Sequence, residues 1–103
     1  MKRIVISLEY GAYPMWIYDG PCVEENDLIE ELRDNKLIDD LLMEIQDKYD
    51  SLFIDDGIDF SFKGFANEAE KTMLRKQVNE AIAYIKEKVG DKYQIETRID
   101  HEF

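Results

Sequence analysis

The sequence is short of the side chains most used for chemistry. Its 103 residues include one cysteine, Cys22, and one histidine, His101. A lone thiol excludes an intramolecular disulfide, and acidic surroundings do not lower a thiol pKa towards that of a nucleophile. One Cys and one His cannot assemble a zinc ligand set. His101 is third from the end of the sequence, where chains fray, so no triad or general base is expected there. The GxSxG, GxGxxG, GxxxxGK and HExxH patterns are missing too, and with them the usual phosphate loops and metalloprotease helices. Neither a catalytic activity nor a cofactor is expected.

Bases are scarce: 13 Lys and Arg stand against 24 Asp and Glu, a formal charge of -11. Such a chain repels phosphate backbones and anionic membrane surfaces, so nucleic acid and lipid are poor partners. No apolar run approaches the ~20 residues needed to span a bilayer. The first nine residues hold two bases but only a short apolar stretch before Glu9, too little for a secretory signal, and a cytoplasmic location is expected. No repeat, low-complexity tract or Gly/Ser/Pro linker divides the chain, which reads as a single domain over 1–103.

What is present is patterned. Ile4, Ile6 and Leu8 alternate with Val5, Ser7 and Glu9, the period of a half-buried strand. A turn containing Gly11 and Pro14 leads to Met15-Trp16-Ile17-Tyr18, a second strand stopped by Asp19-Gly20-Pro21 and hairpinned to the first. Asp27 with Glu30 has the form of a capping pair ahead of a short helix striped by Leu28 and Leu32. Asn35 interrupts it, and a second helix follows with the stripe Leu37/Ile38, Leu41/Leu42, Ile45, Tyr49, Leu52/Phe53. After Asp55-Asp56-Gly57, the alternation Ile58, Phe60, Phe62 reads as a short strand or a packed loop. Asn67 with Glu70 repeats the capping signature before Leu74, Val78, Ala81, Ile82, Ile85 and Val89, the longest helical stripe in the chain. Gly90 is expected as a left-handed cap, and Tyr93, Ile95, Thr97 and Ile99 as a last strand with one wet face. The order β-β-α-α-(β)-α-β is that of an α+β fold, a small, largely antiparallel sheet of three or four strands with helices on one face.

The charge is segregated. Residues 1–60 hold 16 acids against 5 bases, and residues 61–103 hold 8 of each. Concentrated like charges repel one another, whereas evenly spread acids would serve solubility as well. The acids opposite the apolar stripes are therefore candidate partner-binding residues: Glu30, Glu31, Asp34, Asp40, Glu44 and Asp47, with Asp55, Asp56 and Asp59 in the following turn. Tyr10 and Tyr13, beside the Gly11–Pro14 turn, are candidate aromatic anchors, while Trp16 and Tyr18 read first as core strand residues. Met73 and Tyr84 lie off the main stripe of the last helix, meeting either another layer or solvent. Asp55 to Asp59 is also the nearest approach to a cation loop, but it lacks the residue order of an EF-hand and reads as a solvated acidic turn.

The succession of a short strand, "PMWIYDG", an acidic helix ending "IQDKYDSL", then "GF" leading into an E…L…V…A…I helix and a final Tyr-x-Ile strand resembles small bacterial immunity-type proteins. The matching stretches are Pro14 to Asp19, Leu42 to Leu52 and Gly64 to Ile95. The resemblance implies a non-catalytic cytosolic protein that binds and neutralises a toxin, commonly a nuclease. Physics is compatible with it, since a nuclease presents a basic groove and complementary charge speeds encounter towards ~10⁸ M⁻¹s⁻¹ at low salt. Two other classes remain open: a regulatory or oligomeric module pairing through the edge strand Tyr93 to Ile99, and a divalent-cation binder at Asp55–Asp59.

Overall fold

The computed structural model describes residues 2–55, 57 and 60–98. Strand β1 (Arg3–Ile6) pairs antiparallel with β2 (Met15–Asp19), placing Ile4 opposite Ile17 and Ile6 opposite Met15. A second hairpin follows at once, since Gly20 takes φ 65° at the first central position of a two-residue turn and Pro21 occupies the second. That geometry suits a II′ hairpin turn. It returns the chain as β3 (Cys22–Glu25), an edge strand whose four residues are all exposed.

The connection to the helices differs from the sequence expectation. In place of a helix capped by Asp27 there is one 3₁₀ turn, Glu30–Leu32, and Asp27 accepts a hydrogen bond from the adjacent Leu28 amide at 2.7 Å. Leu28, Ile29 and Leu32 are all buried, so the segment is pinned as a packed connection with too few residues to propagate a helix. Helix α1 (Lys36–Asp50) then starts at Asn35, whose side chain accepts from the Ile38 amide. It ends at Asp50 rather than running through Phe53, and Phe53–Asp55 forms β4, paired with β5 (Phe60–Phe62) in a separate two-stranded hairpin. The Leu52 carbonyl accepts from both the Lys63 and Gly64 amides, which holds the base of that hairpin.

Helix α2 (Glu68–Val89) has its N-cap on Asn67, which accepts from the Glu70 amide, while Glu70 reaches back to the Ala66 amide. Its stripe of Leu74, Val78, Ala81, Ile85 and Val89 is buried as the spacing requires. Gly90 closes the helix in the right-handed region, φ -63°, and not in a left-handed one. A glycine stands there for space, because a Cβ would collide with the Lys86 carbonyl oxygen. The last strand, β6 (Gln94–Thr97), joins the sheet parallel to β1, giving the order β3-β2-β1-β6. The sheet is therefore mixed, and β6 is an edge strand on a parallel pairing. Ile99 and His101 lie outside the described residues.

Ile4, Ile6, Leu8, Met15 and Ile17 form one core with the buried faces of α1 and α2, which places both helices on the same side of the sheet. Trp16 and Tyr18 point to the other side and are half-buried there, outside that core. The Trp16 indole donates to the Ser7 carbonyl at 3.1 Å and sits opposite Val5, which is fully buried. The Arg3 and Arg98 guanidinium groups both lie over the Tyr18 ring, 4.9 and 5.6 Å from its centre. Among the described residues no helix is long and apolar enough to cross a membrane.

Candidate partner-binding surface

Asp40, Glu44 and Asp47 recur at i, i+4 and i+7 on α1, a spacing that stacks them on one face. Ile38, Leu42 and Ile45 are buried on the face that meets the core, and the three acids are exposed. Glu30, Glu31 and Asp34, in the connection ahead of α1, are exposed as well. The acidic stripe is present, although its first part rests on the 3₁₀ turn and its flank rather than on a helix. Asp55 is the last residue of β4, and Asp56 and Asp59 lie outside the described residues.

The local bases neutralise part of this stripe, Asp40 and Glu44, and among the described residues leave Asp47 and, ahead of α1, Glu30, Glu31 and Asp34 without one. All five bases of residues 1–60 are held in ion pairs: Lys2 with Glu24, Arg3 with Glu96, Arg33 with Glu25, Lys36 with Asp40 and Lys48 with Glu44, at 3.0 to 3.7 Å. Glu24 also holds the Lys2 ammonium pKa above its ordinary value, through their hydrogen bond first and charge second. Among the described residues Glu30, Asp34 and Asp47 have no ion-pair partner. Glu31 accepts a hydrogen bond from the Tyr93 hydroxyl at 3.0 Å. Burial, then that bond, pushes the Tyr93 pKa up to about 12.

The two tyrosine anchors behave differently. Tyr13 is half-buried against the core and donates its hydroxyl to Asp39 at 2.8 Å, so it is a structural residue rather than an exposed anchor. Burial first, and Asp39 second, hold its pKa well above the ordinary tyrosine value. Tyr10 is 45 % exposed and belongs to a ring cluster that the sequence reading missed. Its ring centre is 5.1 Å from that of Phe53 and 4.7 Å from that of Phe60, and Phe53 in turn lies 5.2 Å from Phe62 and 5.3 Å from Tyr49. Such edge-to-face pairs contribute roughly 0.5–1.5 kcal/mol each beyond area burial. Phe60 and Phe62 remain 53 % and 54 % exposed. The alternation Phe60-Ser61-Phe62 was the available signal, but it does not say which body the strand packs against.

Gln46 secures Tyr10 at this end. Its buried amide donates to the Glu9 carbonyl at 2.7 Å and to Asp50 at 2.8 Å, while Asp50 accepts from the Gly11 amide at 3.0 Å. The β1–β2 turn is thus tied to the last turn of α1. At the base of the β4–β5 hairpin a cleft of about 250 Å³ opens between α1 and α2, lined by Lys48, Leu52, Phe65, Glu70, Met73 and Leu74. Met73 is exposed there, whereas Tyr84 meets another layer: it is packed against the core and accepts from Asn35 at 2.8 Å. Among the described residues no group of three His, Cys, Asp or Glu side chains is placed to hold a metal ion. No family model, curated protein or solved structure matches this chain.

Proposed function

We propose that this chain is a non-catalytic binding protein that captures a basic protein partner, as an immunity protein of a bacterial toxin system captures its toxin. The observation that carries the reading is the pairing of every base in residues 1–60, which leaves exposed acids such as Glu30, Asp34 and Asp47 uncompensated. Solubility alone does not require charge to be concentrated in this way, and a basic partner offsets the repulsion it creates. A toxin acting on nucleic acid supplies such a surface, because its own substrate is a polyanion.

The test has two steps. This protein, used as bait in lysate of its source cell, is expected to retain a basic protein that elutes as rising salt screens the contact. Expressed alone, that protein arrests growth, and co-expression with this chain restores it. A captured protein that is not toxic removes the immunity reading and leaves the binding one. A second reading, a regulatory or oligomeric module, draws on the position of β6 at the end of the sheet, where one side of the strand has no neighbour among the described residues. Association through that edge is held by main-chain hydrogen bonds and is indifferent to salt.

A further inference from the structure

The hairpin end of the molecule offers chemistry that the acidic stripe lacks. Tyr10, Phe60 and Phe62 are half-exposed and are fixed by contacts with Phe53, and Tyr49 buttresses Phe53 from α1. Rings already held in place lose little freedom when a partner covers them, which is the property of a binding anchor. Acids outnumber bases in the sequence here: residues 44–63 contain six acids and two bases, Lys48 and Lys63, and among the described residues Asp50 accepts from the Gly11 amide beside Tyr10 while Asp55 pairs with Phe60 across the hairpin. Lys48 is itself engaged by Glu44 at 3.7 Å and Gln77 at 3.1 Å. A second copy of this chain would bring a further charge of -11 against the same acids, so charge disfavours self-association here. An aromatic face carries negative potential, and next to carboxylates it favours a guanidinium lying flat on the ring. The chain makes such contacts itself, with Arg3 and Arg98 on Tyr18.

We propose that the Tyr10/Phe60/Phe62 surface is the anchor of the interface and takes an arginine-bearing, apolar segment of the basic partner. Arginine stacks on the rings, and neighbouring apolar side chains cover them and reach the cleft beside Leu52, Phe65 and Met73. This rests on the reading of a basic partner and adds where and how that partner is held. The acidic stripe gathers it, and the rings keep it.

The test is an amide NMR titration of the ¹⁵N-labelled full chain with three short synthetic peptides, alternating Arg–Leu, Arg–Ser and Glu–Leu. The Arg–Leu peptide is expected to shift the amides of Tyr10, Phe60 and Phe62 and to bind about tenfold more tightly than Arg–Ser, with no binding by Glu–Leu. Phe60→Leu with Phe62→Leu keeps the apolar area and the fold but removes the ring faces, and is expected to abolish that preference. Ile54→Ser, on the opposite face of the hairpin, is expected to leave it unchanged. Equal affinity for Arg–Leu and Arg–Ser overturns the proposal, as do equal binding of Glu–Leu, a preference that survives in the Leu variant, and shifts confined to Asp40–Asp47. In this last case the basic-partner reading stands. Absence of binding by both arginine peptides overturns the proposal and counts against that reading too.

Discussion

Tyr13 and Tyr93 are each tied to a carboxylate, and the bond at Tyr93 reports on the fold through pH. Removing the Tyr13 hydroxyl with Tyr13→Phe deletes a bond to an ionised acceptor and is expected to lower stability by about 1.5 kcal/mol. A urea midpoint that falls with unchanged slope checks this. At Tyr93 the folded chain keeps the phenol proton up to about 12, whereas the unfolded chain releases it near the ordinary value of 10.0. The stabilising contribution is therefore complete below pH 10 and is lost as pH rises from 10 towards about 12. Wild type is expected to lose stability across that window more steeply than Tyr93→Phe, and parallel curves would contradict the assignment. The exposure of Asp40, Glu44 and Asp47 is legible in the sequence, because 3.6-residue periodicity places each opposite a buried Ile or Leu. The burial of Tyr13 is not legible, since it depends on Asp39 approaching from a helix 26 positions away.

Among the described residues both α-helices start on an asparagine; the Asn67 cap is visible in the sequence as Asn followed by Glu70 and a periodic stripe, whereas Asn35, read there as a break between two helices, proves to be the cap of α1. Asn35→Ala is expected to remove the cap of α1 and to cost about 1 kcal/mol, plus the loss of the bond to Tyr84. Asn35→Asp retains the cap and loses only the donor to Tyr84, so its stability falls between those of wild type and Asn35→Ala. The end of α2 behaves differently from the sequence expectation. Gly90→Ala is expected to destabilise by about 1–3 kcal/mol, because the methyl group meets the Lys86 carbonyl in an otherwise well-packed turn. A neutral Gly90→Ala would show that the turn relaxes. Strand β3 escapes sequence reading because Cys-Val-Glu-Glu has neither alternation nor burial; the Gly20-Pro21 turn and the free edge of β2 create it. The parallel placement of β6 is equally hidden, since strand alternation carries no direction and only the crossover through α2 sets it.

On the scale of the whole molecule, net charge and fold pull in opposite directions. Raising sodium chloride from about 0.1 M to about 1 M shortens the screening length from about 10 Å to about 3 Å, so self-repulsion weakens and thermal stability is expected to rise. The same salt weakens capture of a basic partner, and opposite signs for the two effects distinguish charge-driven binding from apolar association. In the proposed function the exposed acids of α1 do the gathering. That role is tested most directly by running two baits in parallel through the same lysate, the wild-type chain and Asp40→Lys/Glu44→Lys/Asp47→Lys, after far-UV circular dichroism has shown equal helix content. A basic protein retained by the wild type at low salt is expected to be absent from the reversed bait. Retention of the same protein at the same level by both baits would contradict that role.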